Sequence, residues 1–222
     1  MTAFEIIRDQ AERRLGGAEA LAARMPVPKS GSALCKVTDS SYLSMMSRRI
    51  FRAGLKHSMV DAKWPAFEEV FSGFDIDYVR MMSDEDLDGL MKDRRIIRHW
   101  GKIKSVRANA TAIHELLAEY DGVGAYIAAW PTARIVALWD DLKRRFTQMG
   151  GHSGPYFLRM AGKDTFILSK DVVRALNHWG AFEGEPATGK ARLRVQEAFS
   201  QWAQQSGKAL CQISMTLALS VD

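Results

Sequence analysis

Apolar residues return at helical spacing along almost the whole chain, and no segment sustains the period-two alternation that a half-buried strand requires. Phe4, Ile7, Ala11 and Leu15 form the first such stripe, interrupted at Gly16-Gly17 and ended by Pro26 and Pro28. Residues 26–36 read as a loop. Thr38-Asp39 then supplies an N-cap for a helix through Tyr42, Met45, Met46 and Ile50. Further helices are expected at 58–71, around Trp64, Phe67 and Phe71, and at 75–82 and 83–92. The last opens on Ser83-Asp84-Glu85-Asp86, a serine cap followed by acids that suit the positive end of the helix dipole. A long helix over 99–119 begins with a basic turn, and 134–148 follows it. A tight glycine turn at 149–154 leads into a helix over 154–160. Ser169 caps a helix that ends near Trp179, and 191–205 and 211–221 complete the chain. The fold class is therefore all-α, built of many short helices.

With 222 residues, 47% of them hydrophobic, the chain can bury a substantial core. Lys and Arg outnumber Asp and Glu by 31 to 26, a balance that permits a nucleic-acid partner and fits a mildly basic soluble enzyme equally well. Cys35 and Cys211 stand far apart, with no CxxC or Cys/His spacing, which argues against a disulfide scaffold and a structural zinc. No metal and no cofactor is expected. No apolar run reaches membrane-spanning length, and the opening MTAFEIIRDQAERRLGG is charged and amphipathic rather than a signal peptide. A cytoplasmic protein without membrane contact is expected.

Two blocks carry a resemblance. The first is AGLKHSMVDAKWPAFEEVFSGFD followed by DEDLDGLMKDRRIIRHWGKIKSVRANA, within 53–110; the second is FTQMGGHSGPYFLRMAG, 146–162. Together they resemble the bacterial 3-methyladenine DNA glycosylase I family, within the helix-hairpin-helix DNA glycosylase superfamily, and span roughly half the chain. The segments GKDTFILSKDVVRAL and KALCQISMTLALSV are more similar to the wider superfamily. The resemblance implies a two-lobe helix-hairpin-helix fold. Its expected divisions are an N-terminal helix and linker, 1–37, packing on the C-terminal lobe; a central helical lobe, 38–125; and a helix-hairpin-helix lobe, 126–222. It also implies a monomeric, monofunctional glycosylase of base-excision repair that flips alkylated purines out of double-stranded DNA and hydrolyses their N-glycosidic bonds.

At the hairpin, Gly150 and Gly151 permit a tight interhelical turn. With His152, Ser153 and Gly154 they are the candidate DNA contacts, through backbone N–H groups that meet phosphate without reading sequence. Lys170 is a further candidate phosphate contact. In the base site, the family's pocket glutamate falls on Arg49 and the aromatic after its AGL segment falls on His57; Tyr42 is a candidate stacking residue. The family's terminal Cys/His zinc cluster has no counterpart here. The superfamily's aspartate position falls on Ser169, with Asp171 two residues on. Asp171 is the candidate catalytic carboxylate, an anion able to stabilise positive charge on the sugar, and Asp164 is the second choice. An ordinary glycine-rich connection at 149–154 and a plain helix-start acid at Asp171 remain open. Three readings of the whole follow: an active glycosylase, a catalytically inactive or altered-specificity DNA-binding relative, and a helical interaction protein unrelated to DNA.

Overall fold

A computed structural model describes residues 2–222. In chain order the helices are α1 (Phe4–Leu15), α2 (Ala18–Ala22), α3 (Gly31–Cys35), α4 (Asp39–Arg52), α5 (His57–Val70), α6 (Ile76–Met81), α7 (Asp84–Leu90), α8 (Trp100–Leu116), α9 (Gly122–Ala128), α10 (Ile135–Arg145), α11 (Ser153–Ala161), α12 (Lys170–His178), α13 (Gly189–Ser206) and α14 (Leu210–Leu219). Among the described residues there is no strand, as the periodicity requires, and no helix is long and apolar enough to cross a membrane.

The chain divides into two compact units. One holds the chain up to Lys29 with Pro131–Ala137 and Gly162–Asp222; the other holds Ser30–Trp130 and Leu138–Ala161. In the first unit the expected stripe of α1 buries Phe4, Ile7 and Ala11, and α1 packs on α13 and α14. Phe166 stacks on Phe199 at 4.2 Å in the same core. The two ends of the chain are tied within this unit by hydrogen bonds. Trp202 Nε1 donates to the Thr2 carbonyl (3.0 Å), Thr2 Oγ1 donates to the Trp179 carbonyl (2.9 Å), and Arg14 Nε donates to the Leu219 carbonyl (3.2 Å).

The second unit is organised around α4, whose Tyr42, Leu43, Met46, Ile50 and Phe51 are all buried. An aromatic column runs beside it: Trp64 lies 4.8 Å from Phe67 and 5.6 Å from Phe74, and Phe71 lies 5.4 Å from Phe74. Offset ring pairs of this kind contribute about 0.5–1.5 kcal/mol each beyond their buried area. The expected caps form. Thr38 accepts from Ser41 N–H, Ser169 accepts from Val172 N–H, and Ser83 and Asp86 make a reciprocal capping box.

Two helices depart from the sequence reading. The expected loop over 26–36 contains α3, capped by Ser30, whose Oγ accepts from Ala33 N–H. Its partner is α9, a short helix with two glycines and no side-chain cap. Gly124 makes the packing possible, because a Cβ there would collide with the Leu34 backbone. Neither helix carries a strong local signal; each exists because the other covers it.

Candidate nucleic-acid interface and base site

The hairpin is built in the second unit. α10 ends on Lys143, Arg144 and Arg145, and the chain turns through 146–152 before α11 begins at Ser153. Phe146 and Met149 are buried and anchor the turn from inside. Gln148 and Gly151 hold left-handed backbone, φ 62° and 59°, and reverse the chain. At Gly151 glycine accommodates that conformation without cost. Gly154 lies close to the preceding backbone: a Cβ there would sit 3.1 Å from the Met149 carbonyl. A Cβ on Gly150 would meet only the aliphatic stem of Lys143, at 3.4 Å.

Helix α8 holds this turn in place. Buried Asn109 donates Nδ2 to the Thr147 carbonyl (3.2 Å) and accepts from Thr147 N–H (2.7 Å). Gln148 Nε2 donates to the Gly101 carbonyl (2.8 Å). His99 caps α8, its Nδ1 accepting from Lys102 N–H. The tip, Gly151 and His152, is exposed, whereas Ser153 and Gly154 are buried. Ser153 N–H donates to the Gly150 carbonyl at 3.1 Å and so closes the turn on itself.

Behind the hairpin, on α4 and the elements packed against it, stands a group of cations. Arg48 and Arg52 share Asp61, the Arg52 Nη2 to Asp61 contacts being 2.7 Å. Lys102 is buried and donates its Nζ to the carbonyls of Ala53 (2.6 Å) and Phe51 (3.2 Å), the negative end of α4. Arg49 is only 9% exposed, forms no ion pair with any described residue, and leaves Nε buried without an acceptor. Its guanidinium lies over the Tyr156 ring, 4.5 Å from the centroid, a contact worth about 0.5–2 kcal/mol. Burial pulls the Arg49 guanidinium below its usual pKa; Tyr156 partly opposes this and neighbouring Arg52 adds to it. Burial likewise lowers Lys102, and the like charge of Arg49 adds to that shift.

The remaining sequence candidates separate clearly. Tyr42 is fully buried, with its hydroxyl donating to the Leu34 carbonyl at 2.8 Å. It is a core residue and presents no stacking face. His57 is the exposed first residue of α5. In the other unit, Lys170 and Asp171 form the exposed first turn of α12. Asp171 makes one long ion pair, 3.8 Å to Arg174, whereas Asp164 is occupied, accepting from Leu210 and Cys211 N–H at the start of α14. Sequence reasoning missed Tyr156 and Asn109. Both lie inside or beside the matched blocks, but their partners, Arg49 and Thr147, become visible only once the helices pack.

The chain matches the family model described as methyladenine glycosylase over residues 34–149. Among curated proteins no sequence matches it. Solved structures do. A 3-methyladenine DNA glycosylase I is 22% identical with a TM-score of 0.50, covering 65% of this chain and 86% of that one. The Staphylococcus aureus 3-methyladenine DNA glycosylase I is 23% identical, also at 0.50, covering 56% and 77%. A Tyr-to-Phe variant of 3-methyladenine DNA glycosylase I in complex with 3-methyladenine is 20% identical at 0.50, covering 67% and 88%.

Proposed function

The chain belongs to the methyladenine glycosylase family, which makes it a glycosylase of base-excision repair, and we propose that it binds duplex DNA through the 146–153 hairpin and releases damaged, alkylated purines by hydrolysis. The observation that carries this reading is the hairpin itself, an exposed Gly151-His152 tip on a turn pinned from α8 by Asn109 and Gln148. A rigid glycine turn of this kind meets phosphate through the backbone, which suits an enzyme that must scan every sequence.

In the proposed reaction the damaged nucleotide is extruded from the stack. The C1′–N9 bond breaks with its electron pair on the base, and water adds to C1′. Asp171 is the carboxylate assigned to stabilise the positive charge on the sugar; its long, exposed pairing with Arg174 leaves it available, while both Asp164 oxygens are engaged. The reaction is monofunctional, with no lysine assigned to a Schiff base, and the protein acts as a cytoplasmic monomer. The test is incubation with alkylated DNA and chromatography of the released bases. Free alkylated purine and abasic sites are expected; alkylated DNA left intact at high protein concentration would refute the release of alkylated bases. A second reading, altered specificity, is favoured by buried, unpaired Arg49, where a cationic base would meet a cation.

A further inference from the structure

We propose that Arg49 selects a 6-oxopurine, donating two parallel hydrogen bonds to O6 and N7 of a hypoxanthine- or guanine-type damaged base, and discriminates against 6-aminopurines such as 3-methyladenine. This rests on the base-release reading above and names the substrate class of that site.

The first observation is electrostatic. Arg49 is more than nine-tenths buried, yet no carboxylate pairs with it, its Nε has no acceptor, and no nitrogen of its side chain donates to another described residue. Its α4 neighbours Arg48 and Arg52, by contrast, share the carboxylate of Asp61. A buried cation without a partner is costly in a resting protein and is relieved by a ligand that brings acceptors. Lys102 is different: its charge is used, capping the end of α4 through two carbonyls. Arg49 is therefore the member of the cluster with donors to spare.

The second observation is geometric. The guanidinium lies on the Tyr156 ring, which limits its rotation and keeps the planar fork oriented. Tyr156 stands one turn into α11, directly after the hairpin, and Lys102 adjoins Gly101, which receives the hairpin's Gln148. The same two helices that hold the DNA-facing turn thus border Arg49. A guanidinium fork matches the adjacent O6 and N7 acceptors of a 6-oxopurine, whereas a 6-amino group turns a donor towards it.

The chemistry agrees. When the C1′–N9 bond of a neutral 6-oxopurine breaks, the electron pair left on the base spreads over N9, N7 and O6. Water supplies the hydroxyl to C1′, and its proton ends on the departing base. A guanidinium at O6 and N7 stabilises that developing negative charge. A 3-alkylated adenine is already cationic when bound, and the same guanidinium repels it.

The experiment is fluorescence anisotropy with three otherwise identical duplexes, holding one hypoxanthine, one 3-deaza-3-methyladenine, or no damaged base. The intact protein is expected to bind the hypoxanthine duplex about tenfold more tightly than the 3-deaza-3-methyladenine duplex, within the range of one bidentate arginine contact. Equal or reversed affinities overturn the proposal, and this comparison needs no variant. Arg49→Gln and Arg49→Lys are both expected to lose the preference while keeping affinity for undamaged DNA, since lysine retains the charge but not the fork. If Arg49→Gln instead weakens all three duplexes alike and lowers the salt slope by about one, Arg49 is a phosphate contact and the proposal falls. A preference for hypoxanthine without release of any base would remove the glycosylase reading and leave the recognition intact. Release of alkylated adenine with no hypoxanthine preference would do the reverse.

Discussion

Replacing Asn109 with alanine should loosen the proposed DNA-binding turn without touching its surface. The side chain is fully buried and makes two reciprocal hydrogen bonds to Thr147, at 3.2 and 2.7 Å. Each such bond contributes about 1 kcal/mol net, and leaving the Thr147 groups unpaired raises the loss to roughly 2–3 kcal/mol. For a chain of this size each kcal/mol lowers the melting temperature by about 2–4 °C, so a fall of roughly 5–10 °C is expected. Well below that temperature the variant is folded, but of the two side-chain ties to α8 described above only that of Gln148 remains. Affinity for undamaged duplex at low salt should drop about tenfold, or ~1.4 kcal/mol. Asn109→Asp keeps the acceptor facing Thr147 N–H but sets a carboxylate against the Thr147 carbonyl, and should behave as badly. Calorimetry and anisotropy on the same preparations check both quantities. A destabilised but folded variant with unchanged DNA affinity would refute the hairpin as the anchor; an unchanged melting temperature would refute the energetic reasoning.

Gly151→Val forces a branched residue into left-handed backbone, φ 59°, and should weaken duplex binding more than Gly150→Val, whose new side chain meets only the Lys143 stem; titration of both variants compares them. Asp171→Asn should cut base release about 100-fold, the scale of a lost electrostatic stabiliser. Because Asp171 is exposed and only loosely paired, stability should change by less than about 1 kcal/mol, and an active variant would retire the assignment. Tyr42 is pushed up to about 12 by burial, with Cys35 and Asp39 adding to the shift. A raised acid contributes stability below its unfolded value, so stability should fall as pH rises from about 10. Tyr42→Phe should flatten that slope in alkaline denaturation curves. Metal analysis should find no stoichiometric zinc, and a chelator should leave the melting curve unchanged, since Trp202, Thr2 and Arg14 hold the chain ends by hydrogen bonds.

Helices with their own caps and stripes were legible in the sequence: Thr38, Ser83 and Ser169 mark starts, and Phe4, Ile7 and Ala11 mark a buried face. What escaped was structure made by contact. α3 and α9 have weak local propensity and rest on one close approach at Gly124. Tyr42 illustrates the same limit: its place on an amphipathic helix favoured the core over a stacking platform, and the structure decides for the core, with Leu34 accepting from its hydroxyl. At the proposed base site, Arg49 was legible as a departure from the family, but its surroundings, Tyr156 and the absence of a carboxylate partner, were not. Both are facts of packing rather than of spacing.

The packing of α1 on α13 and α14 also sets an order of events during synthesis. The unit around α4 lies between Ser30 and Ala161 in the chain, so all of its helices are synthesised before α12. α1 precedes that unit in the chain, yet its buried face waits for α13 and α14, which follow it. At typical elongation rates that wait lasts about 10–40 s, during which Phe4 and Ile7 stand open to water and to chaperones. The α4 unit is thus complete in sequence while the apolar face of α1 still lacks α13 and α14, and α1 is the helix left waiting for its cover.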